Sequence, residues 1–322
     1  MTKKNKTILI TGGAGFIGSN LAKKLLKLKY TIIIVDNFNA YYSPLLKKNR
    51  IKLLLKEYKF KLYKTDIANF KKLEEIFKKN KIDIICHLAA QAGVRYSLKN
   101  PFIYERSNLR GTLNLLELSK KYKIKGFIFA SSSSVYGTNK IIPFSEKQKT
   151  DTPVSLYAAT KKSTELIAYS YHHLYEIPIT GLRFFTVYGP WGRPDMALFK
   201  FTKNIMENKP IDIYNYGKMK RDFTYIDDIV NGIIRAIKKN YDWQIFNLGR
   251  GEPVELIKFV KIIENCLHKK AKKKYLPIQP GDVCLTYANI SKAKKLLGYI
   301  PKISVEQGIK KFINWYKSYY LF

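Results

Sequence analysis

Near its amino end the chain reads Thr7-Ile8-Leu9-Ile10-Thr11-Gly12-Gly13-Ala14-Gly15-Phe16-Ile17-Gly18. The β-branched run Thr7–Ile10 predicts a strand and Ile17–Leu28 predicts a helix, so the glycines mark the turn between them. Gly12 permits the tight turn, Gly15 lets backbone approach a pyrophosphate, and Gly18 lets helix and strand pack closely. The amino end of the helix, at Phe16 and Ile17, then faces the phosphates with unsatisfied N–H groups. Asp36 closes the second predicted strand, Tyr30–Val35. A carboxylate there accepts hydrogen bonds from ribose hydroxyls and repels a 2′-phosphate, which predicts NAD rather than NADP. Asn37 follows it, with no arginine nearby to receive such a phosphate. Asp66 and Ile67, after a third strand at Lys61–Tyr63, suit the adenine edge. An ordinary tight turn explains the glycines alone, but not strand, helix and Asp36 together.

The same alternation continues outward. Helical stretches at Phe70–Lys79, Ser107–Tyr122 and Ser155–Tyr175 separate strand-like runs at Ile82–His87, Phe127–Ala130 and Ile179–Phe185. Strands separated by helices of this length predict a parallel sheet with right-handed crossovers. The fold class is therefore α/β, a Rossmann-type doubly wound parallel sheet with a smaller carboxyl-terminal α/β lobe. From Thr186 the pattern loosens through the loop Gly189-Pro190-Trp191-Gly192-Arg193-Pro194. Ile229–Lys238 reads as a helix and Trp243–Leu248 as a strand, with Asp242–Leu248 expected to rejoin the first sheet. The expected division is residues 1–185 with about 224–249 for the dinucleotide, and 186–223 with 250–322 for the substrate. Two Lys-rich amphipathic helices are expected in the last 70 residues.

Tyr157-Ala158-Ala159-Thr160-Lys161 lies at the start of the long helix, after the serine run Ser131–Ser134 that ends a strand. Residues i and i+4 share a helix face, so Lys161 is expected beside Tyr157. A free phenol has a pKa of about 10, too high for a base at neutral pH. The Lys161 ammonium and an oxidised nicotinamide ring are expected to lower it. Lys161 also suits the nicotinamide ribose, and Ser132 is the expected hydroxyl partner of a substrate alcohol. Any one of 24 tyrosines more often sits at a helix start for packing alone. The glycine turn upstream overturns that reading here.

Composition narrows the remaining classes. Lys and Arg number 59 against 24 acidic residues, a net charge of +35. Only nine are Arg, and the lysines are spread along the chain rather than clustered, so nucleic acid is not the expected partner. A positive field still attracts an anionic substrate. No apolar run of 18 residues predicts a membrane span, and no signal segment is read at the amino end, so the expected compartment is the cytoplasm. Cys86, Cys266 and Cys284 are too far apart for a disulfide frame or zinc knuckle, and no metal site is expected.

At these residues the chain resembles the extended short-chain dehydrogenase/reductases, and among them the nucleotide-sugar epimerases, most closely those acting on UDP-glucuronate. The marks are Asp36-Asn37-Phe38-Asn39 with Tyr41-Tyr42, His87 through Arg95, Ser132 through Gly137, Arg183 through Ala197, and Arg221 through Asp228. The resemblance implies a 4-epimerase that passes through a 4-keto sugar with bound NAD. It adds Ala89, Ala90 and Gln91 to the cofactor residues. It implies that Arg221 grips the diphosphate, Asp282 meets the nucleotide ribose, Ile213 and Tyr214 lie by the uracil, and Asn108 falls near the diphosphate or sugar. Ser133, Ser134 and Thr186, with Arg193 and more weakly Arg95, are implied around the sugar carboxylate. Related dehydratases carry an Asp-Glu pair where this chain has Ser133 and Ser134, which disfavours dehydration. The alternatives on the same scaffold are a UDP-glucose/galactose 4-epimerase and a UDP-glucuronate decarboxylase. A homodimer through the 107–122 and 155–175 helices is the family expectation.

Overall fold

The structure, a computed structural model, describes residues 6–279 and 283–321. Six strands come first: β1 (Thr7–Thr11), β2 (Thr31–Asp36), β3 (Lys61–Lys64), β4 (Ile84–His87), β5 (Gly126–Ser132) and β6 (Ile179–Phe184). After them come β7 (Thr186–Tyr188), β8 (Ile211–Tyr214), β9 (Lys220–Tyr225), β10 (Trp243–Leu248), β11 (Pro253–Glu255), β12 (Lys273–Leu276) and β13 (Leu285–Thr286). The main sheet has the order β10-β6-β5-β4-β1-β2-β3, and every pair in it is parallel. The order therefore reverses at β1, which lies between β2 and β4. In a doubly wound sheet the crossovers leave on opposite sides at that point and open a crevice at the carboxyl ends of the strands.

Helices cover both faces, so the central strands are apolar on both sides. Alternate residues divide between two cores. Ile8, Ile10, Ile32, Ile34 and Cys86 face one way, with the helix Phe16–Lys27 on them. Leu9, Ile33, Val35, Ile85 and Phe127 face the other, under the helices Phe70–Lys79 and Gly111–Lys121. β10 returns to the first sheet as expected, and there pairs with β6 from Trp243↔Ile179 to Leu248↔Phe184.

The long helix spans Leu156–Tyr175. Ser155 caps it, its Oγ accepting from the Ala158 N–H at 3.1 Å, a contact typically worth about 1 kcal/mol. Glu176 ends it in a left-handed conformation with φ 52°. The segment expected as one helix from Ser107 to Tyr122 begins instead as a π-helical stretch, Glu105–Arg110. The wider turn turns Asn108 inward, where it bonds to Gln91 and Thr160.

Beyond β6 more structure forms than the sequence pattern predicts. β7, β9, β11 and β13 make one small sheet, and β8 pairs with β12. Among the described residues of the last 70 there are three helices rather than two: Leu256–Leu267, Ser291–Leu297 and Val305–Tyr320. Ser291–Leu297 is two turns long, too short to show a period.

Gly18 fixes how closely the first helix approaches the turn. A Cβ placed there stands 2.2 Å from the Gly12 carbonyl oxygen. Gly18→Ala is therefore expected to push the helix off the turn and cost about 1–3 kcal/mol, measured by urea unfolding. NAD affinity, measured by calorimetry, should fall with it.

Candidate active site

At the reversal point lies a cleft of about 820 Å³, running from the glycine turn to β8 and β9. Its first half is lined by Gly12, Gly15, Phe16, Ile17 and Gly18, by Asp36 and Asn37, and by Asp66 and Ile67. Ala89, Ala90 and Gln91 follow from the loop after β4. Gly12 has φ +67°, and a Cβ on it meets the Ala89 backbone at 2.8 Å, so the two loops flanking the crevice touch through a bare α-carbon. The first helix has no side-chain cap at Gly15 and no acidic residue in its first turn, which leaves its amino end available to an anion. Asp36 accepts from the Ala14 N–H at 3.0 Å and the Phe38 N–H at 2.8 Å. Burial raises its carboxyl pKa, opposed by those N–H groups and by Lys47. These features fit a dinucleotide: a bare backbone cradle at one end and a fixed carboxyl acceptor at the other.

The cleft continues past Ser132, Ser133, Ser134, Tyr157 and Lys161 to Thr186, Arg193, Arg95, Tyr214 and Arg221. Ser132 Oγ donates to Ser134 Oγ at 3.1 Å and accepts from the Ser134 N–H at 3.2 Å. Lys161 is buried, and its Nζ donates to the Ala130 carbonyl at 2.8 Å. The electrostatics differ from the sequence expectation. Burial raises the Tyr157 phenol above its ordinary value, opposed by Ser132 and by Arg193. Lys161 is not among the groups that lower it. Burial instead pulls the Lys161 ammonium down to about 8, with Glu165 opposing.

The profile of the NAD dependent epimerase/dehydratase family matches residues 8–249. The chain belongs to this family. A UDP-glucuronate 4-epimerase of Thermodesulfobacterium geofontis is 50% identical over 96% of each chain. An uncharacterized protein of Methanocaldococcus jannaschii is 55% identical over 97% of each chain. Among solved structures, the UDP-glucuronic acid 4-epimerase of Bacillus cereus, in complex with UDP-glucuronic acid and NAD, is 39% identical with a TM-score of 0.91. That likeness covers 98% of this chain and 100% of that one.

Two of the residues implied for this family site, Asn108 and Ile213, are not on the cleft wall. Asn108 is buried behind it. Its Oδ1 accepts from the Gln91 N–H at 2.8 Å, and its Nδ2 donates to the Gln91 carbonyl and to Thr160. It clamps the loop that lines the cleft rather than facing a ligand, because the π-helical turn directs it inward. Ile213 is fully buried in the core beneath β8, since strand alternation gives the cleft to its neighbours Asp212 and Tyr214. Asp282 lies outside the described residues.

Arg193 is not a bare cation. Its fork holds Asp195 through Nε at 3.0 Å and through Nη2, and Asp195 also accepts from the Tyr41 hydroxyl at 3.1 Å. Burial favours the neutral acid, but the Arg193 guanidinium overrides it and keeps the Asp195 carboxyl below its ordinary value. Arg95 stacks on Tyr214 with 4.3 Å between guanidinium carbon and ring centre. Sequence reasoning missed Arg50 altogether. It is fully buried and donates to the Ala14, Trp191 and Gly192 carbonyls and to the Tyr42 hydroxyl. It thereby ties the glycine turn to the loop that carries Arg193. Its neighbour Lys47, drawn down to about 8 by burial, holds Asn39. Tyr41-Tyr42 and Asp195 sit inside the family marks, and that was their only signal. Arg50 had none.

Behind the cleft, His87 joins three segments. The Thr112 hydroxyl gives its proton to the Asn108 carbonyl, so the His87 Nε2–H donates to Thr112 Oγ1 at 3.0 Å. Nδ1 then accepts from the Thr11 hydroxyl at 2.8 Å, while Thr11 Oγ1 receives the Ala89 N–H. The network assigns the tautomer. Burial, helped by Lys161, depresses the imidazole to about 3. Its ordinary value is about 6.5. Because the folded value is depressed, this contribution to stability is fully present above that ordinary value and is lost as pH falls toward the folded one. Unfolding free energies measured in urea between pH 6 and 4 should fall more steeply for the parent than for His87→Gln. The expected difference is about 1.4 kcal/mol per pH unit.

Proposed function

We propose that the chain is an NAD-dependent UDP-glucuronate 4-epimerase, an isomerase that interconverts UDP-glucuronate and UDP-galacturonate. The observation that carries this reading is the convergence of Tyr157, Ser132 and Lys161 with Ser133, Ser134, Thr186 and Arg193 in one cleft that begins at a dinucleotide cradle. Relatives with this named activity along the full chain support it.

In this reading Gly12, Gly15, Gly18, Asp36 and the 89–91 loop hold the dinucleotide, with Asp66 and Ile67 at the adenine and Lys161 at the nicotinamide ribose. When bound, NAD supplies a reversible hydride acceptor for C4 and a positive pyridinium whose charge offsets the burial that holds the Tyr157 phenol up. Ser132 orients the 4-hydroxyl, and Tyr157 takes its proton as the alcohol becomes a ketone. The UDP half remains gripped by the second lobe, where Tyr214 and Arg221 line the wall. The sugar ring turns within the cleft, and Tyr157 returns the proton on the opposite face.

The 4-keto uronate is a β-keto acid, which loses carbon dioxide when its carboxylate aligns with the ketone π system. Ser133, Ser134 and Thr186 offer hydroxyls to hold that carboxylate out of alignment. Arg193 shares its fork with Asp195, so its charge is softened. No acid or base stands at 133 or 134 to take a proton from C5.

The family homodimer is part of this proposal, with Leu113, Leu166 and Leu174 left exposed on the two helices expected to pair. Light scattering tests it. The cytoplasm is proposed as its compartment. Among the described residues no helix is long and apolar enough to cross a membrane.

Purified protein given UDP-glucuronate should form UDP-galacturonate without carbon dioxide, followed by NMR of the product. A UDP-pentose product would overturn the reading. Tyr157→Phe should slow the interconversion at least about 100-fold while leaving the protein folded.

A further inference from the structure

The helix face that carries Tyr157 and Lys161 has a third member one turn further on, Glu165. All three are separated by four residues and lie on one stripe of the helix. Glu165 and Arg183 form a buried ion pair, each side chain 5% exposed. Arg183 Nε reaches Glu165 Oε1 at 2.8 Å and Nη2 reaches Oε2 at 2.7 Å, a two-pronged contact. Ser131 Oγ adds a third hydrogen bond to Oε1 at 2.6 Å. Ser131 stands between Ala130, whose carbonyl receives Lys161 Nζ, and Ser132, which lowers the Tyr157 phenol against burial.

The pair also sits at a particular depth in the sheet. Ser131, Arg183 and Asn247 face one another across β5, β6 and β10 in register, and Ser131 lines the cleft. Tyr136 closes the row, its ring under the Arg183 guanidinium at 4.9 Å and its hydroxyl donating to Asn247 Oδ1 at 2.7 Å. Glu165 is where the catalytic helix is bolted to that row. A buried carboxylate needs a stated reason, because an apolar pair of similar volume is often as stable.

We propose that Glu165 is a positioning residue of the Tyr157–Lys161 helix: anchored by Arg183, it fixes the Ser131 step of β5 and supplies the compensating negative charge for the buried Lys161 ammonium. A merely structural ion pair would set helix position alone. This one does both because the helix repeat places it one turn beneath Lys161.

The other charges near Lys161 do not take this role. His87 on β4 is neutral, and burial holds the Tyr157 phenol above its ordinary value although Ser132 and Arg193 oppose it. Tyr136 in the 133–136 turn and Tyr104 beside Tyr157 are phenols raised by burial. Further along, Arg106 pairs with Asp66, Arg110 with Glu105, and Arg95 stacks on Tyr214. Glu117 meets Tyr171, nearly three turns past Lys161 along the helix, and Lys99 lines the cleft. Glu165 is the carboxylate that raises the Lys161 value against burial.

The test follows the Lys161 side chain directly, by NMR titration of ¹³C-lysine-labelled protein, with the resonance assigned by its loss in Lys161→Met. In Glu165→Gln the midpoint should move about one unit toward acid, because an opposite charge has been removed. The alkaline limb of kcat/KM should move with it. Glu165→Asp should restore the parent midpoint. The double variant Glu165→Met with Arg183→Met removes the pair without leaving a lone buried charge, and should fold and show the same acid shift. An unmoved Lys161 midpoint in the folded Gln or double variant overturns the proposal. The activity limb rests on the epimerase reading, but the NMR midpoint does not. A shifted midpoint in a protein that turns over no UDP-sugar sinks that reading and supports this one.

Discussion

The reversal of strand order at β1 is the constraint on which the rest depends. With β2 on one side and β4 on the other, the crossover helices diverge, and no helix can cover the carboxyl ends between them. Backbone groups there must find partners other than a packed neighbour. The polar residues at the ends of these strands answer that need: Thr11, Asp36, His87 and Ser132 each bond to a loop or to a helix end. Glycine is needed where two of the loops close over the gap, because a side chain at Gly12 would occupy the space of the Ala89 backbone. The cleft is thus a consequence of topology. Its chemistry comes from what the strand ends carry into it.

Inside that cleft, burial acts in opposite senses on the two groups that matter most. It raises the phenol and lowers the ammonium, driving both toward neutrality. Chemistry that needs a charged ammonium and an ionisable phenol therefore needs fixed charges that burial cannot neutralise. The protein supplies them as ion pairs held at their own strength: Arg183 with Glu165 beneath the helix, and Arg193 with Asp195 across the cleft. Guanidinium suits both positions, since it stays charged when buried and its planar fork fixes the direction of its partner.

The sheet was legible because each strand and helix is a local object. β-branched runs and glycine turns identify β1, β2 and the helix between them, and Phe70–Lys79 and Trp243–Leu248 are found with their predicted bounds. The second lobe was less legible because β8, β11, β12 and β13 are two to four residues long, and their partners lie far away in sequence. For the site, residue type and motif picked out residues that line the cleft but did not settle which neighbour faces it. Ile213 lost its place to Asp212 and Tyr214 because a strand alternates. Asn108 was turned inward by a π-helical step that no periodicity announces. Arg50 was invisible for a different reason: its carbonyl partners at Trp191 and Gly192 are 141 and 142 residues away, and a lysine-rich stretch gives one more basic residue no prominence.

The loop from Trp191 to Asp195 shows how a shared frame acquires a preference. One end is held by Arg50 through carbonyls, so it moves with the glycine turn. The other end is held by Asp195, which receives both Arg193 and the Tyr41 hydroxyl from the segment after β2. A sugar placed against Ser132 therefore meets a wall whose position is set from the cofactor side. A uronic acid brings a second negative charge to that wall, beyond its phosphates. An unpaired arginine there would bind the carboxylate strongly in one orientation, and a ring that must present both faces in turn cannot be held that way. Sharing the guanidinium with Asp195 weakens the grip, and the small hydroxyls of Ser133, Ser134 and Thr186 are hydrogen-bonding groups without a fixed charge. On the proposed reaction, a carboxylate contact of intermediate strength is what allows the ring to turn while the ketone is kept from losing carbon dioxide.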